Sequence, residues 1–184
     1  MFIRQNGGFV MNYAEIKSND IANGPGVRVS LFVSGCTHHC PGCFNPETWD
    51  FNYGTPFTQE TVDKILEYME PSYVKGITLL GGEPLEQNNQ RGLLPLLQQI
   101  HSKYPQKTIW SFTGYDFEKD VVGNMLTHWP ETKEFLSYLD VLVDGEFKEE
   151  LRDLSLVFCG SSNQRIIQVQ ESLASDKIIL WQEK

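Results

Sequence analysis

The sequence predicts an α/β domain built on an open, parallel sheet. Three observations carry that prediction. Short runs rich in β-branched and aromatic residues alternate with longer stretches whose apolar residues recur at helical spacing. The order strand, helix, strand, helix, strand, helix, strand is that of right-handed crossover units. The glycines and cysteines fall just after the strands, at the edge of the sheet where α/β proteins gather their chemistry.

Taken in order, residues 1–10 read as a flexible N-terminal extension, because Gln5-Asn6-Gly7-Gly8 is loop-like. The folded part, 11–184, reads as a single domain. Asn23-Gly24-Pro25-Gly26 makes a tight turn, and 27–33 is the first strand. Residues 55–57 form a turn. Thr58 caps a helix over 59–70, where Val62, Ile65, Leu66 and Met69 share one face. A short buried strand, 76–80, follows. A helix over 93–104 turns Leu94, Leu97 and Ile100 inward, with Pro95 in its first turn, where proline is tolerated. The third strand is 107–112, helices cover 117–126 and 131–138, and the fourth strand is 139–143. Three strand-like pieces, 156–158, 165–169 and 177–181, end the chain. Four to six strands are too few to close an eight-stranded barrel, so the sheet stays open.

Composition excludes several function classes. The chain of 184 residues carries a net charge of −9, which argues against nucleic acid as its partner, since phosphate binding needs a basic face. Its N-terminus has no apolar run long enough for a signal or a membrane span. Three of the four cysteines are too clustered for a disulfide framework. These readings point to the reducing cytoplasm, where thiols stay free for metal.

The clustered cysteines are Cys36, Cys40 and Cys43, spaced C-x3-C-x2-C at the end of the first strand. Three neighbouring thiolates can converge on one metal centre. A closed structural zinc site would need a further pair of ligands, and the remaining cysteine, Cys159, has no partner nearby in sequence. One of His38 and His39 could serve as a fourth zinc ligand. A cubane iron–sulfur cluster held by three thiolates would instead leave one iron open, as a catalytic site requires. The next strand runs into Gly81-Gly82-Glu83-Pro84. There two glycines permit close backbone approach to a ligand, and Glu83 supplies a carboxylate.

C-x3-C-x2-C with Phe44 directly after it, followed one strand later by Gly81-Gly82-Glu83-Pro84, resembles the radical S-adenosylmethionine (radical SAM) enzymes. Further stretches narrow the resemblance. They are Met11-Asn12-Tyr13, Asn23-Gly24-Pro25-Gly26, Leu31-Phe32-Val33-Ser34-Gly35-Cys36, Pro41-Gly42-Cys43-Phe44-Asn45, Trp110-Ser111-Phe112-Thr113-Gly114-Tyr115, the D-V-L-V-D-G-E-F run at 140–147 and the G-S-S-N-Q-R run at 160–165. Together they look like the activating enzymes of the anaerobic ribonucleotide reductase, over about residues 11–167.

The resemblance implies a partial (β/α) TIM-like half-barrel of the radical SAM type. It implies one [4Fe–4S] cluster per chain, held by Cys36, Cys40 and Cys43, with S-adenosylmethionine on the open iron. A low-potential electron, from reduced flavodoxin or a similar donor, would cleave that ligand; potentials of such clusters reach roughly −700 mV. The resulting 5′-deoxyadenosyl radical would take a hydrogen atom from a glycine Cα on the reductase's large subunit. The resemblance places Gly42 and Phe44 against the adenine, Gly81, Gly82 and Glu83 near the methionine ammonium, and Thr113 and Asp144 near the ligand. No residue is required as a general acid or base. Glu146 departs from the pattern, standing where many relatives carry lysine, so Arg165 or Arg28 is the expected cation for the ligand carboxylate. Cys159 departs too, and reads as a buried, inert thiol. Two alternatives remain: another compact radical SAM enzyme, acting on a small molecule or RNA base, or a non-catalytic zinc-binding interaction module.

Overall fold

The computed structural model describes residues 11–182; the extension expected at 1–10 lies outside the described residues. The elements are β1 (Asn12–Asp20), β2 (Val27–Val33), β3 (Thr55–Pro56), α1 (Gln59–Met69), β4 (Val74–Gly81), α2 (Gln87–Lys103), β5 (Thr108–Phe112), α3 (Leu126–His128), α4 (Pro130–Tyr138), β6 (Val141–Asp144), β7 (Arg165–Gln168) and α5 (Val169–Ser175). The strands form one mixed sheet in the order β3-β1-β2-β4-β5-β6-β7. The central strands β2, β4, β5 and β6 are parallel, while β1, β3 and β7 pair antiparallel at the edges. The sheet is open, ending at β3 and β7.

Side-chain alternation sorts the sheet into two apolar faces. Val29, Leu31, Ile77, Leu79, Ile109 and Leu142 face the main core, with Ile65, Met69, Leu93, Leu97, Val121 and Phe135 from the helices. Their neighbours Trp110, Val141 and Val143 form a second cluster with Phe112, Phe158, Ile166 and Trp181. Phe32, Leu80 and Phe112 line a cavity. Register aligns the strand ends: Val33 lies beside Gly81, and Phe112 beside Val143. The cysteine loop, the Gly81-Gly82 turn, Thr113-Gly114 and Asp144-Gly145 therefore meet at one edge.

Several elements differ from expectation. β1 is a strand that local residues do not announce, because Glu15, Lys17 and Asn19 alternate outward with only Ile16 β-branched. Its backbone satisfies the free edge of β2. Thr55-Pro56, read as a turn, extends the sheet as β3. α2 starts at Gln87, so Pro95 lies inside it on an exposed face rather than in the first turn; the polar run 87–92 hid those first turns. Leu93 and Leu96 are fully buried there, and Leu94 only partly. The 117–125 stretch is a π-helix, with Val121 N–H donating to the Asp116 carbonyl at 3.1 Å, and it runs into α3. Residues 156–158 form no strand, 169–175 are helical, and 177–181 contribute one isolated bridge, Ile167 to Leu180.

Asp20 ties β1, the following turn and β2 together. It accepts from Ser30 Oγ at 2.6 Å, Asn23 Nδ2 at 2.6 Å and Ala22 N–H at 2.8 Å. Burial pushes its carboxyl up, but these donors, aided by Lys17, more than offset that and hold it below the ordinary 3.8. A carboxyl depressed on folding adds stability that is present above its unfolded value and lost as pH falls through the folded one. Asp20→Asn is therefore expected to cost about 1–3 kcal/mol at neutral pH. The deficit should shrink as pH falls below 3.8. Urea midpoints at several pH values check this, and a pH-independent deficit would contradict it.

Candidate functional site

The cysteine loop leaves β2 through a tightly held neck. Gly35 N–H donates to the Thr48 carbonyl at 2.8 Å, and Cys36 N–H to the Trp49 carbonyl at 3.2 Å. On the other side, Glu83 N–H donates to the Gly35 carbonyl at 2.8 Å, and Gly82 N–H to the Val33 carbonyl at 2.8 Å. Gly82 must be glycine, since a Cβ there would lie 2.7 Å from the Gly35 oxygen and 2.9 Å from that of Thr48. Gly81 has φ +106°, and a Cβ there would lie 2.7 Å from backbone atoms of Val33.

Buried polar side chains of the segment after Pro84 complete the support. Asn89 Nδ2 donates to the carbonyls of Ser34 at 3.0 Å and Glu83 at 2.9 Å. Glu86 accepts from Thr37 N–H at 2.9 Å and Thr37 Oγ1 at 2.5 Å. Sequence reasoning missed both residues. The only signal was polar residues where a helix turns toward the core.

Glu83 is almost fully buried. Its Oε1 accepts from Leu85 N–H at 2.8 Å, its Oε2 accepts from Gly114 N–H at 2.7 Å, and His38 Nε2 lies 3.2 Å from Oε2. The carboxylate thus joins the ends of β4 and β5 to the cysteine loop. His38, one of the two histidines in the cysteine loop, is half-buried. Its Nδ1 lies 3.4 Å from Glu146, and its ring meets Tyr115 edge-on at 4.3 Å. Burial would lower the His38 pKa, but Glu83, Glu146 and Glu86 more than offset that and raise it. His39 stays exposed, with φ +52°, and stacks on Trp49 at 4.7 Å.

Cys36, Cys40 and Cys43 line one cavity of about 510 Å³, together with Phe44, Gly81, Gly82, Glu83 and Thr113. That volume is in the range of small-molecule sites. Burial, then the Glu83 and Glu86 carboxylates, push the Cys36 thiol up to about 12, against backbone N–H groups that lower it. Burial, Glu146 and Cys43 push Cys40 up as well. A bound metal must therefore displace protons here. Among the described residues, no three His, Cys, Asp or Glu side chains converge on one ion, as a mononuclear zinc site would demand. A cubane spreads its thiolates over separate irons, and three thiols that line one roomy cavity fit that group.

Other expected site residues are placed differently. Phe44 lines the cavity but is exposed, packed on Phe147 at 5.0 Å beneath the Arg152 guanidinium at 5.3 Å. Gly42 turns the loop at φ +71° beside Glu149. Asp144 is buried and bound to Arg165 Nε at 3.0 Å and to Phe117 N–H at 2.9 Å. It is absent from the cavity lining, where Gly145 stands. Neither expected arginine faces the cavity. Arg165 is taken up by Asp144, Asp116 and Glu118. Arg28 lies at the other end of the strands, donating to Thr78 Oγ1 and the carbonyls of Ile77 and Thr108. Among the described lining residues, Lys17 is the one lysine or arginine, its Nζ 4.9 Å over the Phe32 ring. Cys159 lines the cavity too, half-buried, its thiol pushed up by burial and Asp144. The 160–165 run acts as a brace: Gln164 Nε2 donates to the Gly145 carbonyl at 2.9 Å, and Asn163 Nδ2 to that of Glu146 at 2.9 Å.

Residues 22–167 match the family model of the 4Fe-4S single cluster domain. The chain is 43% identical over 156 residues to the anaerobic ribonucleoside-triphosphate reductase-activating proteins of Salmonella typhi and Escherichia coli, covering 84% of this chain and 96% of each relative. The chain belongs to that activating-protein family. The Pasteurella multocida member is 40% identical over 158 residues, 85% of this chain and 96% of its own. In this activating-protein family member the cluster-binding domain spans everything from the 21–26 turn to β7.

Proposed function

We propose that this chain is a radical SAM activase that installs the glycyl radical on the large subunit of an anaerobic ribonucleotide reductase. One observation carries the reading. In a member of the activating-protein family, a three-thiol loop and a Gly-Gly strand end share a single cavity. We read the open sheet as the half-barrel of the radical SAM type, at work in the cytoplasm, with reduced flavodoxin or a similar protein as donor. No helix among the described residues is long and apolar enough to cross a membrane.

When bound, the [4Fe–4S] cluster supplies the electron that splits S-adenosylmethionine into methionine and a 5′-deoxyadenosyl radical, which takes the glycine Cα hydrogen atom. The protein's part is to bind, orient and exclude water. Cys36, Cys40 and Cys43 would hold the cluster through their thiolates. The Gly81-Gly82 backbone approaches the methionine ammonium. Phe44 would lie against the adenine, with the Gly42 turn shaping the loop before it, and Thr113 lines the same cavity. Glu83 serves by fixing the strand ends around the ligand, and Asp144 by anchoring the 144–148 loop to Arg165. Phe32, Leu80 and Phe112 give the cavity an apolar wall that keeps water from a reactive radical. No acid or base is required.

Anaerobically reconstituted protein should carry about four irons and four sulfides per chain and form 5′-deoxyadenosine with dithionite. One zinc per chain and no cleavage would overturn the reading.

A further inference from the structure

Residues 152–161 form a loop whose Asp153, Leu154, Leu156, Phe158, Cys159 and Gly160 line the cavity. Its neck is closed by the Arg152–Ser161 bridge and by Ser162 N–H donating to the Leu151 carbonyl at 2.9 Å. Its tip is stiffened by Asp153, whose Oδ1 accepts from Ser155 N–H at 2.8 Å and Ser155 Oγ at 2.6 Å. Phe158 sits at φ +56°, a left-handed conformation that costs a non-glycine residue about 1–2 kcal/mol. The conformation sends Phe158 inward against Trp110, at 5.6 Å, and Trp181, at 6.1 Å. It leaves Val157 56% exposed, and Leu154 is 84% exposed. The loop is therefore held by one partly buried aromatic packed on Trp110 and Trp181 while it displays two aliphatic side chains.

A lone exposed leucine needs no explanation. Two on a braced loop that lines the cavity, whose neck residue Arg152 covers the exposed Phe44, form an apolar lip of the kind that marks a contact surface. We propose that the Leu154–Val157 lip seats the segment of the reductase's large subunit that carries the target glycine. The proposal rests on the activase reading, because that glycine must enter this cavity to reach the strand ends. The lip's place sets the chemistry of its occupant. Its flank is mixed in charge, with Lys148 and Arg152 exposed among Glu149, Glu150 and Asp153, while Leu154 and Leu156 line the cavity itself. The fitting occupant is an extended segment that enters this cavity with apolar side chains next to the glycine.

The test uses reconstituted holoprotein with Val157→Asp, an exposed position outside the cavity lining, and with Leu154→Asp added to it. In the single variant 5′-deoxyadenosine formation without the reductase should stay within about twofold of wild type. Affinity for the large subunit should fall at least about tenfold in the double variant and in the same direction in the single one, with glycyl radical yield at limiting concentration falling alongside it. Tyr73→Asp, an exposed aromatic position just before β4, should change neither. Wild-type binding and activation by the double variant would overturn the proposal. So would an equal loss in Tyr73→Asp, or loss of reductase-independent cleavage in the single variant. Absence of cleavage in the wild type would instead refute the activase reading itself.

Discussion

Cys40→Ser is expected to abolish glycyl radical formation while leaving the fold intact. Iron–sulfur clusters are held by soft thiolates, and a serine hydroxyl is a harder donor that stays protonated at neutral pH. If the three cysteines are the cluster's protein ligands, as proposed, losing one should lower bound iron well below that of the wild type. The fold should survive because Cys40 lies in an irregular loop, half-buried, where its main-chain carbonyl accepts from Cys43 N–H at 3.2 Å. Circular dichroism should match the wild type while the electron paramagnetic resonance signal of the activated reductase disappears. Persistence of that signal in the variant would contradict the cluster assignment.

Glu83→Ala is expected to destabilise the fold by about 2–5 kcal/mol and to stop S-adenosylmethionine cleavage. The substitution leaves the Leu85 and Gly114 N–H groups without the acceptor they now have. It also removes the group that faces His38. The ends of β4 and β5 and the cysteine loop then lose their common tie. Glu83→Gln keeps a single acceptor oxygen, so it should recover part of the stability. Guanidinium unfolding of the metal-free variants measures this. Wild-type stability in the alanine variant would show that the carboxylate does not join these strand ends.

The central fold was legible because its signals are local. Strands β2, β4, β5 and β6 are short, apolar and followed by glycine or cysteine turns. The helix α1 announces itself through Thr58 and four apolar residues at one face. β1 was not legible, since its pairing with β2 is what makes a half-exposed polar segment extended. Nor was the start of α2, where Asn89 and Gln90 turn inward as polar residues whose amides reach backbone carbonyls of residues 34, 83 and 85. At the site, the cysteine spacing marked a metal-binding loop, and the two glycines gained their role from the resemblance. The positions of Glu83, Glu86 and His38 depend on contacts among loops far apart in sequence, and no local pattern encodes them. For the same reason Asp144 and the two arginines went elsewhere: each found its partners across strands.

The most direct test mixes the reconstituted, reduced protein with S-adenosylmethionine and its anaerobic reductase, and records the electron paramagnetic resonance spectrum. The account predicts a doublet glycyl signal on the reductase that requires all three components. A flat spectrum, from a reductase that another activating protein can convert to its radical form, would contradict it.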